Sequence, residues 1–124
     1  MSSDSRTRVA DIMSSPVETI SKDATVREAA RLMRDKEISS LLVPATETGI
    51  ITSTDVLDTV ADGHDPETVL VGDVMTAPLE TVTPDLFMEE VAAMLTTYGI
   101  KHLPVVDDDY VGIVSSTDVT AELS

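Results

Sequence analysis

VADIMSSPVETISKD at residues 9–23 returns as VGDVMTAPLETVTPD at 71–85, and GIITSTDV at 49–56 returns as GIVSSTDV at 112–119. The period of 62 to 63 residues is too long for a solenoid unit of roughly 20 to 50 residues. It is the size of half a small domain, so the 124-residue chain reads as two halves related by a pseudo-twofold axis. A site in one half then has a counterpart in the other. Residues 1–8 read as a flexible polar leader, 9–61 as a first motif, 62–68 (DGHDPET) as a connection and 69–124 as a second motif.

Within each motif the pattern predicts strand, helix, strand, strand, helix. Glu18-Thr19-Ile20 and Glu80-Thr81-Val82 are short extended pieces that follow Pro16 and Pro78. TVREAARLMRDKE places Val26, Ala29, Ala30 and Met33 on one helical face, and Met88, Val91, Ala92 and Leu95 repeat that stripe. Thr25 and Glu28 have the form of a capping box, Phe87 replaces that Thr in the second copy, and Gly99 is a helix stop. Arg27, Arg31 and Arg34 fall on a polar, solvated face. Leu41–Val43 with Gly49–Ile51, and Leu103–Val106 with Val111–Val114, read as hairpins. The second has one extra residue in its turn at Asp107-Asp108-Asp109. Helices are expected over Ser53–Ala61 and Ser116–Leu123, giving an α+β (α/β-like) fold of two βαββα halves with two small sheets.

Composition removes several classes of function. One Phe, two Tyr and no Trp leave no stacking platform for single-stranded nucleic acid. Without Cys there are no disulfides, thiolate metal sites or Cys nucleophile. Eight basic against 23 acidic residues give a net charge of −15, which repels duplex nucleic acid and anionic membranes. That surface reads either as an ordinary acidic, soluble one or as a halophilic one, because at about 1 M salt the Debye length falls to about 3 Å. MSSDSRTR lacks a signal-peptide core and no run of about 18 apolar residues follows, so a soluble cytoplasmic protein is expected.

The chemistry concentrates in Gly49-Ile50-Ile51-Thr52-Ser53-Thr54-Asp55 and Gly112-Ile113-Val114-Ser115-Ser116-Thr117-Asp118. Each passes from strand to helix, where unpaired N–H groups suit an anion, hydroxyls suit a phosphate and a carboxylate suits a ribose diol. Equally, Thr52 to Asp55 and Ser115 to Asp118 have the form of capping boxes. The strand mouths differ: Ser39 and Ser40 in one half, Lys101 and His102 in the other. The latter pair either meets a phosphate or merely ends a helix favourably. Asp107, Asp109 and Gly112 mimic an EF-hand, but Val111 stands where an oxygen ligand is needed. No spacing links His64 to His102 as metal ligands, and no nucleophile elbow or phosphate loop is present, so neither a metal site nor an enzyme is expected.

These motifs, in this order and twice over, closely resemble a cystathionine β-synthase (CBS) domain pair, the Bateman module, across residues 9–122. The resemblance implies a regulatory module without catalytic residues. Its two motifs pack through their sheets and leave two clefts for an adenosine compound: AMP, ADP, ATP or S-adenosylmethionine. It also implies a flat homodimer and a signal passed to a separate regulated protein. Carried over by position, Asp55 and Asp118 hold ribose, while Thr52, Thr54, Ser115 and Thr117 assist with ribose or phosphate. Ser39, Ser40, Lys101 and His102 face phosphates, and backbone around Thr19-Ile20 and Thr81-Val82 takes adenine. The alternative is a ligand-free homodimeric scaffold. Leu42 against Pro104 and Pro44 against Val106 remove a backbone donor from the first copy's strand; with its shorter turn and its uncharged mouth at Ser39 and Ser40, unequal clefts are expected, the one around Lys101, His102 and Asp118 being the better candidate for a phosphate-bearing ligand.

Overall fold

Amphipathic spacing and end signals place the longest helices as expected. In the computed structural model, which describes residues 6–77 and 80–123, α2 spans Val26–Lys36 and α5 spans Met88–Tyr98. The first five residues of the expected leader, Pro78 and Ser124 lie outside the described residues. Val26, Ala29 and Met33 are buried on α2, and Met88, Val91 and Leu95 on α5. Thr25 Oγ1 accepts the Glu28 N–H at 3.1 Å, whereas the second copy keeps only the reverse bond, from Phe87 N–H to the Glu90 carboxylate. Glu37 and Gly99 end the two helices with positive φ, 55° and 65°, where glycine is the unstrained choice.

The other elements are α1 (Val9–Ile12), β1 (Ser40–Val43), β2 (Gly49–Thr52), α3 (Ser53–Ala61), α4 (Val71–Val74), β3 (His102–Asp107), β4 (Asp109–Ser115) and α6 (Ser116–Leu123). Strands β1 and β2 pair antiparallel, as do β3 and β4, which makes the two small sheets expected. The additional residue of the second hairpin does not lengthen its tip. It is taken up as a bulge after Val105↔Gly112, where Val106 pairs with Tyr110 and Val111 is left over, while Asp108 turns the tip at φ 67°.

The chain forms two units that do not coincide with the sequence repeats. A central unit is Glu18–Leu79, and a terminal unit is Met1–Val17 with Glu80–Ser124. Each repeat's opening segment therefore belongs with the other repeat's hairpin. Val71 is buried in the central core with Ala29, Met33, Leu41, Val43 and Ile51. Val9 is buried in the terminal core among Val91, Leu103, Val105 and Val114. The leads also cover strand edges: Thr76 and Ile50 exchange both backbone hydrogen bonds at 2.9 Å, and Ser14 and Ile113 do so at 2.8 and 3.0 Å. Glycine makes this approach sterically open. A Cβ on Gly49 would stand 2.9 Å from the Thr76 carbonyl, and one on Gly112 would stand 2.9 Å from that of Ser14.

The expected leading strands shrink to single bridges, Thr19↔Leu42 and Val82↔Val105, both parallel. Two prolines decide where they lie. In the central unit Ile20 N–H donates to Leu42 O at 2.9 Å and Leu42 N–H to Glu18 O at 3.0 Å. The terminal unit keeps the first bond, Val82 N–H to Pro104 O at 3.0 Å, but Pro104 has no N–H for the second. Val106, standing where the first copy has Pro44, donates instead to Val82 O at 2.8 Å. The expected loss of a donor in the first copy is thus corrected: each copy lacks one donor, uses the other, and makes two bonds.

Arg6, Thr7 and Arg8, read as part of a flexible leader, are docked on the start of α5. Met88 N–H donates to Thr7 O at 2.9 Å, and Val9 N–H to Leu86 O at 2.8 Å. The guanidinium groups of Arg6 and Arg8 lie 3.7 and 4.6 Å from the centre of the Phe87 ring. The aromatic residue that displaced a capping Thr is therefore the leader's anchor. Nearby, the Thr83 hydroxyl at 2.6 Å, joined by a backbone hydrogen bond, holds the Asp85 carboxyl below its ordinary value. Because that pKa is depressed in the folded state, its small contribution is present above the unfolded value and is lost as pH falls through the folded one.

Gly49→Ala and Gly112→Ala are each expected to destabilise by about 1 to 3 kcal/mol, since a backbone carbonyl cannot yield as a side chain does. Urea denaturation monitored by circular dichroism measures this as a lower midpoint with an unchanged slope.

Candidate functional site

In the central unit β2 runs directly into α3, and Thr52 is the residue at the junction. Its N–H donates to Asp55 Oδ2 at 2.8 Å and its hydroxyl to the same oxygen at 3.1 Å, while Asp55 N–H donates back to Thr52 Oγ1 at 3.4 Å. The terminal unit repeats this where β4 enters α6. Ser115 N–H and Oγ donate to Asp118 Oδ2 at 2.8 and 2.9 Å, and Asp118 N–H returns to Ser115 Oγ at 3.2 Å. The capping-box reading of both heptads is therefore what the structure contains.

That cap changes what the junction offers a ligand. Ser53 N–H donates to Ser39 O at 2.9 Å, and Ser116 N–H to Lys101 O at 3.0 Å. At each junction the strand-end amide and the first and third helical amides thus have acceptors inside the protein. The expected cradle of unpaired N–H groups is corrected for these three amides, of which the strand-end one donates to the Asp carboxylate and the two helical ones to other acceptors. Thr52 and Ser115 likewise spend their hydroxyls on holding the Asp, whereas Thr54 and Thr117 are exposed. The second oxygen, Oδ1, of Asp55 and of Asp118 takes no hydrogen bond among the described residues. A carboxylate fixed through one oxygen, half-buried, with the other free is suited to accept from a neutral diol.

The same Ser53 and Ser116 bonds bring the strand mouths to the caps. Ser40 pairs with Thr52 and His102 with Ser115, so each mouth lies beside the cap of its own unit. Ser39 is exposed, Ser40 half-buried, Lys101 exposed and His102 half-buried. Lys101 makes no ion pair among the described residues, in contrast to Arg6, Arg27, Arg34 and Lys36. Thr19-Ile20 and Thr81-Val82 reach the same hairpins through the bridges to β1 and β3, and Thr19 and Thr81 spend neither backbone group on those bonds. All residues singled out in one repeat therefore converge on one hairpin of one unit. What sequence reading missed are the lead helices α1 and α4, which bring Met13 and Met75 over Gly112 and Gly49. Four-residue helices carry too little periodicity to signal themselves. Among the described residues no three His, Asp or Glu side chains gather as a metal site, and no helix is long and apolar enough to cross a membrane.

The sequence matches the family model of the CBS domain twice, over residues 9–62 and 71–124. The chain belongs to the CBS-domain family, as a tandem pair. A CBS domain-containing protein, YhcV of Bacillus subtilis, is 33% identical over 117 residues, covering 90% of this chain and 81% of that protein. The hexameric CBS-CP12 protein from bloom-forming cyanobacteria has a TM-score of 0.89 at 33% identity, over 96% of this chain and 73% of that one. The CBS domain pair of protein MJ0100, solved in complex with 5-methylthioadenosine and S-adenosyl-L-methionine, has a TM-score of 0.83 at 31% identity, over 95% and 96%. The chain also matches homoserine O-acetyltransferases, of which it spans about a quarter.

Thr52→Ala and Ser115→Ala should each lower stability by about 1 kcal/mol with no ligand present, as for loss of an N-cap. Thermal melting of the two variants checks this.

Proposed function

We propose that this chain is a regulatory CBS pair, not an enzyme, that binds an adenosine-containing ligand (AMP, ADP, ATP or S-adenosylmethionine), forms a homodimer and signals to a separate protein. One observation carries the reading: Asp118 is held through Oδ2 while its Oδ1 has no hydrogen bond among the described residues, beside a mouth bearing Lys101 and His102. In this reading Asp118 Oδ1 accepts from the ribose diol, Thr117 adds a hydroxyl contact, and backbone at Thr81-Val82 takes the adenine. Lys101 supplies the positive charge for phosphate and His102 a ring hydrogen-bonding group beside it. Asp55, Thr54, Ser39, Ser40 and Thr19-Ile20 make the equivalent, uncharged set. The terminal unit is accordingly the better host for a phosphate-bearing ligand, and the complex of MJ0100 with two adenosine compounds supports the ligand class.

A ligand-free homodimeric scaffold is the second reading. It is favoured by the caps themselves, which explain Asp55 and Asp118 without any ligand.

Calorimetry with AMP, ATP and S-adenosylmethionine at low and high salt separates the two. A ligand at 100 times its Kd should stabilise the protein by roughly 2.7 kcal/mol. Asp118→Asn, which still caps, should weaken binding about tenfold or more with little change in melting, as expected when a charged hydrogen-bond partner is lost. Absence of both heat and thermal shift with all three ligands leaves the scaffold reading standing.

A further inference from the structure

Sulfur is placed alike in the two units. Met13 ends α1 in the terminal unit and Met75 ends α4 in the central one, the same position of the two repeats. Each is partly exposed, and each packs on the core of its own unit. A Cβ added to Gly112 would stand 2.7 Å from Met13 Sδ, and one added to Gly49 would stand 2.8 Å from Met75 Sδ. Each thioether therefore fills the space that a side chain on the glycine would take, at the edge of its hairpin. The next residue of each lead, Ser14 or Thr76, exchanges both backbone hydrogen bonds with Ile113 or Ile50. Thioether and edge closure are thus neighbours along the lead and along the strand. The other described methionines differ: Met33 and Met88 are only 5% and 8% exposed, and Met94, partly exposed, belongs to α5 and to neither lead.

Oxidation would change this contact more than any other in the hairpins. A thioether is apolar and adaptable, whereas its sulfoxide is polar and chiral. An oxygen on Met13 Sδ turned toward the strand would find the nearby amides already committed. Ser14 and Ile113 N–H donate to each other's carbonyls, and Met13 N–H donates to Val9 O. The central unit repeats this with Thr76, Ile50 and Met75, whose N–H donates to Val71 O. A sulfoxide held there carries the cost of a buried polar group without a donor. Turned to water instead, it draws the sulfur off the glycine, and either course weakens the closure.

We propose that Met13 and Met75 form a duplicated oxidation site, at which a hydroperoxide converts the thioether to its sulfoxide and so loosens each lead from its hairpin. The sulfur lone pair bonds one peroxide oxygen as the O–O bond breaks. Sulfur loses two electrons and the peroxide gains them, while the proton of the transferred hydroxyl passes to the departing hydroxide, which leaves as water. A dithiol reverses the step: its sulfurs join as a disulfide, and the sulfoxide oxygen leaves as water with their two protons. The chain has no Cys, so no thiol of its own competes for the oxidant. Gly49 and Gly112 lie on the strands that end in Thr52 and Ser115, so the modification reaches the candidate site through β2 and β4. It requires no ligand and stands whether or not Asp118 binds one.

The test treats the full chain with hydrogen peroxide, maps sulfoxides by peptide mass spectrometry, and follows amide hydrogen exchange by NMR and thermal melting. Met13 and Met75 are expected to oxidise at least about tenfold faster than the buried Met33 and Met88. Exchange at the Ser14, Ile50, Thr76 and Ile113 amides should then rise at least about tenfold. Tm should fall by about 5 °C. Methionine sulfoxide reductase with dithiothreitol should restore both. The double variant Met13→Leu/Met75→Leu, which keeps apolar volume without sulfur, should show neither change under peroxide, whereas Met94→Leu should respond as the unmodified chain does. Earlier oxidation of Met33 and Met88, unchanged exchange at the four amides of the oxidised chain, or an equal loss in the double variant overturns the proposal. If the double variant melts early without peroxide, exchange at the four amides of the oxidised, unmodified chain decides alone.

Discussion

A two-stranded ladder is marginal in water by itself, because too few of its backbone groups and apolar side chains are covered. Each unit here is built around one such hairpin, and everything else answers that deficit. Helices α2 and α5 bury Met33 and Leu95 in the two cores. The outer edges are closed by bridges from Thr76 on one hairpin and Ser14 on the other. Both closures require a neighbouring backbone to pass at a distance that a Cβ would block, which is why Gly49 and Gly112 open the second strand of each hairpin. The same strand then delivers its last residue, Thr52 or Ser115, to the helix that carries the candidate site.

Capping and ligand binding compete as readings of Asp55 and Asp118 in the sequence, and the cap leaves Oδ1 of each without a hydrogen bond among the described residues. A carboxylate that accepts two hydrogen bonds through Oδ2 is oriented before any ligand arrives, so less freedom is lost when Oδ1 finds a partner. The strand-end amide donates to that carboxylate and the first and third helical amides are paired elsewhere in the protein, so fewer N–H groups are left at each junction for an anion. Of the two strand mouths, the one at Lys101 and His102 carries a formal positive charge, on Lys101, and the one at Ser39 and Ser40 carries none.

Much of the fold was legible because it rests on local rules. Ser53–Ala61 and Ser116–Leu123 follow from their caps and turn spacing, and α2 and α5 from apolar stripes that end at Glu37 and Gly99. The exchanged prolines were visible too, but their effect was misjudged from sequence. Pro44 reads as a lost donor until Leu42 is seen to donate to Glu18 O, while Val106 performs the complementary task in the other copy. Phe87 read as a missing cap, and the ring contacts with Arg6 and Arg8 that explain it lie some 80 residues away in sequence.

The sequence by itself determined the duplication, the α+β class, the two hairpins and the residues that surround each strand-to-helix junction, since all of these depend on neighbours within a few positions along the chain. Only the tertiary structure decided that each repeat's opening segment belongs with the other repeat's hairpin, and that three amides at each junction are already paired. Both follow from hydrogen bonds and close packing between distant segments. Periodicity along the chain records which face of an element is apolar, but not which distant backbone will cover it.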